Sequence, residues 1–202
     1  MSFATIEDLR SQLEGSPVQT PEYTAKMMHA IPPTTEVDRN KFIVDRCRGK
    51  RVLEFGASGN LHEKIVGVAK ELIGVDLDAG ENVVVFDLDD VTQPDLPANV
   101  GFAEIIVCGE IIEHLSNPGW FLKRLKRQYS GIPVIISAPN AFSRIARLHL
   151  QNAVENVNKD HVCWYSWKTL STLVERAGFT VREFYCYNGK APTSEGLVMV
   201  VD

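Results

Sequence analysis

Two short strings in this chain combine residue types that can do chemistry. Glu110-Ile111-Ile112-Glu113-His114 sets two carboxylates and an imidazole close together, and His161 follows later in Lys159-Asp160-His161-Val162. Carboxylates and imidazoles serve as general acids and bases near neutral pH, and the four side chains together also suit a hard or borderline divalent cation. As a base, His161 is the first candidate, with His114 next and Glu110 beside them. The other string is Glu54-Phe55-Gly56-Ala57-Ser58-Gly59-Asn60, an acid ahead of a glycine turn. A dinucleotide fingerprint needs G-x-G-x-x-G so that the backbone can approach a pyrophosphate on a helix N-terminus. Here Ser58 takes the place of the second glycine and the third is missing. A carboxylate at Glu54 would repel phosphate, so the turn suits a ligand carrying positive charge.

The elements that must position these residues are readable from apolar runs. "RVLEFG", "ELIGVD", "NVVVFD", "AEIIVCGE" and "PVIISAPN" are short and continuously apolar, each ending in a polar residue or glycine. Such runs read as strands buried on both faces of a parallel sheet. The helical stretches "NLHEKIVGVAK" and "PGWFLKRLKRQYS" separate several of them, which makes βαβ units and an open, doubly wound α/β fold. In such folds ligands bind at the carboxyl ends of the strands, where Glu54, Asp76, Asp87 and Glu110 all fall. Two or three helices are expected before residue 48, one starting at Thr20-Pro21 and one over "EVDRNKFIVDRC". "SWKTLSTLVERAGF" reads as a helix closed by Gly178, and "TVREFYCYN" and "EGLVMVVD" as two final strands. Phe142, Ile145, Leu148, Leu150 and Val154 predict an amphipathic helix in the segment 141–160, a candidate lid.

Composition narrows the classes. The chain has 202 residues, 45% hydrophobic and 23% charged, with a formal net charge of -5. That leaves no broad basic surface for a nucleic-acid backbone, so nucleic acid is an unfavoured partner. The N-terminal residues lack the apolar core of a signal peptide, and no run approaches the ~18 apolar residues of a membrane span. Cys47, Cys108, Cys163 and Cys186 form no C-x-x-C pair and read as reduced, mostly buried thiols. A cytoplasmic protein without a membrane partner is expected.

Taken singly, a glycine turn or an aspartate at a strand end is as often structural as functional. Taken in order, they resemble the class I S-adenosylmethionine-dependent methyltransferases. Glu54 through Asn60 resembles that family's acid-x-Gly-x-Gly-x-Gly motif, with two departures. The resemblance implies that Glu54, Gly56, Ala57, Ser58 and Gly59 pack against the methionyl part of S-adenosylmethionine. It further implies that Asp76, with Leu77 next to it, accepts from the ribose hydroxyls, and that Asp87 and the Leu88 backbone meet the adenine. Glu110, at the end of the fourth strand, falls beside the methyl group. "EIIVCGEIIEHLSNPGWFL" is similar to the subgroup that includes ubiquinone-biosynthesis methyltransferases. The implied architecture is a Rossmann-like, mostly parallel, seven-stranded sheet with helices on both faces and a lid insertion after strand 5. It forms a single domain over 1–202, with a helical cap at 1–48, a cofactor-binding half at 50–140, the lid at 141–160, and a C-terminal helix and strand pair at 161–202.

Methyl transfer from a sulfonium is an in-line displacement, and a hydroxyl acceptor needs a base or a metal where an amine does not. The expected reaction is methylation of a small-molecule acceptor, at oxygen before nitrogen, with S-adenosylhomocysteine as product. Arg144 and Arg147, on one face of the lid helix, could hold an anionic group on that acceptor, or could be solvated. Tyr23, Met27 and Trp164 are candidate pocket walls. His62 and His149 read as surface or packing residues, and His29 as the end of a helix. The Glu-x-x-Glu-His string with a later histidine also resembles the metal cluster of methyltransferases acting on the 3′-terminal ribose of small RNAs, and that of some ubiquinone-pathway O-methyltransferases. The same string occurs in relatives that bind no metal, and a metal-free site is expected here. RNA 3′-end 2′-O-methylation with a metal, and non-catalytic binding of S-adenosylmethionine, stand as alternatives.

Overall fold

The computed structural model describes residues 26–97 and 103–202. Thr34–Asp202 form one compact unit, built on a single sheet. Its elements in chain order are β1 (Thr35–Val37), α1 (Arg39–Cys47), β2 (Arg51–Phe55), α2 (Gly59–Val66), β3 (Glu71–Asp76), β4 (Val83–Val85), β5 (Ile105–Gly109), α3 (Pro118–Gln128), β6 (Val134–Pro139), α4 (Arg144–Leu150), α5 (Trp167–Arg176), β7 (Val181–Tyr187) and β8 (Gly196–Val201).

The strand order is β1-β7-β8-β6-β5-β2-β3-β4. Strands β2 to β6 are mutually parallel, and β8 runs antiparallel between β6 and β7. From β2 the chain proceeds outward through β3 and β4, then returns to β5 on the other side of β2. That reversal opens a crevice at the carboxyl ends of β2 and β5, the place where doubly wound folds take ligands.

The continuous apolar runs are explained by helices on both faces. Ile43 and Cys47 of α1 and Leu61 and Ile65 of α2 pack with Val52, Ile105, Val107 and Ile135 on one face. Phe121, Leu122 and Leu125 of α3 and Leu170 and Val174 of α5 pack with Leu53, Phe55, Ile106, Cys108 and Ile136 on the other. Adjacent residues of each strand serve opposite cores, as the alternation of a pleated strand requires.

Among the described residues the sheet has eight strands and not the seven expected. The additional one is β1, in a stretch whose spacing suggested helix. Thr35, Glu36 and Val37 pair in parallel with Tyr185, Cys186 and Tyr187, and the helix begins only after Asp38, whose side chain accepts from Lys41 N at 2.9 Å. A side-chain cap of this kind sets the start of α1 more firmly than the placement of one valine. The earlier expected helix start at Thr20-Pro21, and Tyr23, lie outside the described residues. Lys26 and Met27 are helical, and the His29 ring contacts Lys26 O at 3.1 Å, in keeping with a helix ending there.

The predicted lid helix is α4, which ends before Val154. Cys47, Cys108 and Cys186 are buried and Cys163 is half-buried, all as free thiols.

Candidate active site

The glycine turn after β2 has the backbone that its two glycines allow. Gly56 (φ +76) and Gly59 (φ +66) both lie in the left-handed region, and a Cβ at Gly56 would come within 3.1 Å of Ile111. Ser58 and Asn60, the two departures from the glycine motif, have no positive φ and need no such freedom, which explains why they are tolerated. Ser58 occupies the N-cap of α2 and makes no side-chain cap bond. At the end of β2, Glu54 is buried and Oε2 lies 2.7 Å from His62 Nδ1. Burial raises the Glu54 carboxyl above the ordinary range and the His62 contact opposes the rise. His62, read as a surface or packing residue from its helical position, thus pairs with the buried Glu54 carboxyl.

Asp76 ends β3, and its Oδ1 accepts from Leu77 N at 2.7 Å and Asp78 N at 3.3 Å; Leu77 itself is exposed. Asp87 follows β4, is exposed, and accepts from Asp89 N at 2.9 Å, while Leu88 is buried. The loop carrying Asp87 and Leu88 is tied from below by Arg124 of α3, which is fully buried. Its guanidinium donates to the carbonyls of Leu88, Asp90 and Gln93, the last at 3.0 Å. Asp89 adds a second tie, accepting from Ser116 N at 2.8 Å and Asn117 N at 3.1 Å. Nothing in the sequence around Arg124 distinguishes it from a solvated basic residue.

Of the four residues expected to cluster, Glu113, His114 and His161 are brought together beyond β5, while Glu110 turns to Tyr187 and Arg39. The segment carrying His161 is fastened to the turn after β5 by several bonds. Val162 N and Cys163 N donate to Glu113 O at 2.9 and 3.1 Å, and the Tyr165 hydroxyl donates to Ile112 O at 3.2 Å. As a result the His114 and His161 rings meet edge to face, with centroids 4.5 Å apart. His161 Nε2 lies 4.0 Å from Glu113 Oε1. One ligand atom from each of Glu113, His114 and His161 falls within 4.8 Å of the others.

Glu113 is only 1% exposed, and neither of its carboxylate oxygens has a hydrogen-bond partner among the described residues. Burial, with the charge of Glu110 added, pushes its carboxyl up to about 8. Burial, with the charge of His114 added, holds the His161 imidazole below its ordinary value, so the ring is neutral near pH 7 and able to accept a proton or a metal.

Glu110 has φ +57, an uncommon conformation for a residue other than glycine. Its Oε1 accepts from the Tyr187 hydroxyl at 2.8 Å and lies 3.3 Å from the Arg39 guanidinium. Arg39 and Tyr187, like His62 and Arg124, gave no signal in the sequence, because each reaches its partner only through the folded sheet.

A cavity of about 360 Å³ opens beside His161, lined in part by Ser143, Ala146, Asn156, Val157, Trp164 and Glu195. Trp164 is therefore a wall of this cavity, as expected. Arg144 and Arg147 are exposed on α4 and do not line it, and His149 is exposed as well. No helix among the described residues is long and apolar enough to cross a membrane.

A family model described as a methyltransferase domain matches residues 34–183. No curated protein matches in sequence. Among solved structures, the chain is similar to the small RNA methyltransferase HEN1, with a TM-score of 0.66 at 15% identity, covering 86% of this chain and 26% of that one. This chain therefore spans about a quarter of HEN1's length. The methyltransferase domain of bacterial CtHen1 gives a TM-score of 0.59 at 20% identity, covering 81% of this chain and 96% of that one. An S-adenosylmethionine-dependent methyltransferase from Clostridium acetobutylicum gives 0.58 at 10% identity, covering 82% and 92%. With three acids at the ends of β2, β3 and β4 around a glycine turn, and a family match over most of its length, the chain belongs to the methyltransferase domain family as a class I, S-adenosylmethionine-dependent enzyme.

Proposed function

We propose that the protein transfers a methyl group to a hydroxyl oxygen of a small acceptor, and that Glu113, His114 and His161 hold a divalent cation for this purpose. The observation that carries the reading is the Glu113 carboxylate, buried, without a hydrogen-bond partner and flanked by two imidazoles. A buried anion left in that state costs several kcal/mol, so the position calls for a proton or a cation. Two nitrogen donors and a carboxylate suit a borderline ion that keeps positions open for an acceptor. The residues thus fit a metal, a departure from the metal-free site expected from the sequence.

A bound divalent cation would lower the pKa of an acceptor hydroxyl and orient it. The chain's own residues do the rest. The Gly56–Gly59 turn, Asp76 and the Arg124-tied loop at Asp87 and Leu88 would hold S-adenosylmethionine, which would supply the methyl group. His161 also lines the cavity, so the cation it would help to hold stands where it could meet the acceptor hydroxyl. The cavity of about 360 Å³ fits a ring-sized group and lies within the usual range for small-molecule sites.

A second reading, 2′-O-methylation at an RNA 3′ end, is favoured by the likeness in fold to HEN1 combined with the Glu113, His114 and His161 cluster. The net charge of -5 weighs against it. The deciding experiment supplies labelled S-adenosylmethionine with either a panel of catechols and sugars or short RNAs with free 3′ ends, each with Mn²⁺ and with chelator. Transfer to a small acceptor that chelator abolishes supports the first reading. Chelator-resistant transfer overturns the role of the cation, and transfer to RNA alone puts the second reading in its place.

A further inference from the structure

One wall of the cavity beside His161 comes from the segment between β7 and β8, and a single asparagine holds it there. Asn140, which follows β6, is 5% exposed, and its side-chain amide donates to Pro192 O and Ser194 O at 2.9 Å each. Its backbone N–H donates to Glu195 O at 2.9 Å, and Arg144 N donates to Thr193 O at 3.0 Å. Asn140 Oδ1 in turn accepts from Phe142 N at 3.0 Å, just ahead of the Ser143 cap of α4. Asn140 thus fastens both the β7–β8 segment and the start of α4 to the end of β6. Glu195 is fixed at the cavity through its backbone and is half-buried there. Among the described residues, no hydrogen bond or ion pair engages its carboxylate. His161 apart, it is also the one charged residue among the described residues of the cavity wall, and the others offer amides, a hydroxyl, a thiol, an indole and apolar carbons. Arg144 and Arg147 stand outside, exposed on α4.

We infer that Glu195 determines acceptor specificity, so that the cavity takes an uncharged ring bearing several hydroxyls and rejects its anionic counterpart. The inference rests on the reading proposed above, a small acceptor beside a cation. A half-buried carboxylate without a partner accepts strongly from hydroxyl groups and repels an anion brought close to it. A cation held in part by His161 would repel an ammonium group on the acceptor in the same way. An uncharged, polyhydroxylated ring meets neither penalty. Trp164, 42% exposed on the same wall, supplies apolar surface for the ring's carbon skeleton, and a few placed polar groups around such a surface are what orient a small ligand. The expected anion-holding role of Arg144 and Arg147 is thereby replaced by an anion-excluding role for Glu195.

The test supplies the purified full chain with labelled S-adenosylmethionine, Mn²⁺ and two matched acceptor sets: catechol, protocatechuate and dopamine, and glucose, glucuronate and glucosamine. The readout is the ratio of kcat/KM between the uncharged and the anionic member of a set, which a merely structural loss at position 195 would leave unmoved. The wild type is expected to favour the uncharged member by about tenfold or more, because like charges brought together are strongly disfavoured. Glu195→Gln keeps the size of the side chain and should remove most of that preference, and Glu195→Lys should invert it. A wild type that uses the anionic or the ammonium member as well as the uncharged one, or a Glu195→Gln protein with the wild-type ratio, overturns the inference and leaves the small-acceptor reading standing. Transfer to no member of either set overturns that reading and the inference with it, so the two failures are distinguishable.

Discussion

The imidazoles of His114 and His161 meet edge to face, 4.5 Å between ring centroids, although one follows β5 and the other precedes α5. Their contact is made by backbone bonds from Val162 and Cys163 to Glu113, which bind the later segment to the earlier turn. That pairing places a neutral imidazole between the cavity and the buried carboxylate.

His161→Ala should lower turnover by ~10²- to 10⁴-fold while leaving cofactor affinity nearly intact, because the ring faces the acceptor side of the site. As His161 is one of the three proposed ligands, Mn²⁺ retention should fall in parallel. Because burial and His114 depress its proton affinity, the acid limb of the rate it governs should lie below its ordinary value of 6.5. Single-turnover rates with pH, together with calorimetric titration of S-adenosylmethionine, check both points; normal turnover would make His161 a structural loop residue.

Asp76→Ala should weaken cofactor binding tenfold or more. A carboxylate accepting two hydroxyl bonds has ~1.5 to 3 kcal/mol in each, and ~1.4 kcal/mol corresponds to a factor of ten. Unchanged affinity in a folded variant, read by calorimetry, would remove Asp76 from the cofactor site. A nicotinamide dinucleotide should give no binding heat with the wild type.

The metal-free protein should become less stable as pH rises from about 4.5 to about 8. Glu113 has a folded-state value raised from 4.5 to about 8, so its contribution is fully present below the unfolded value and is lost as pH climbs through the folded one. At ~1.4 kcal/mol per unit the effect is on the order of a few kcal/mol. Denaturant midpoints of chelated wild type and Glu113→Gln over this range provide the measurement. The glutamine variant should show a flatter profile, and identical slopes would refute the burial argument.

Gly196→Ala should destabilise the fold by ~1 to 3 kcal/mol, since the added methyl group must displace the Tyr187 ring from a packed sheet. The loss should shrink when Tyr187 is also replaced by alanine. Thermal melts of the single and double variants test this, and equal losses in both would show that the ring is not what excludes a side chain at 196.

The sequence by itself determined the sheet's parallel centre and the strand ends that carry its acids. Strands buried on both faces must be continuously apolar, and βαβ order places their polar ends on one edge, so Glu54, Asp76, Asp87 and Glu110 could be located from local patterns alone. The acid-Gly turn was equally legible, because Gly56 and Gly59 are the positions where a left-handed backbone is needed. Only the tertiary structure decided that the Glu113 carboxylate has no hydrogen-bond partner among the described residues, that Tyr187 and Arg39 grip Glu110, that His62 reaches Glu54, and that Arg124 ties the loop at Leu88. Burial and long-range hydrogen bonds depend on which strands become neighbours. A three-residue edge strand such as Thr35–Val37 exists only because β7 offers it a ladder, a fact that no local periodicity encodes.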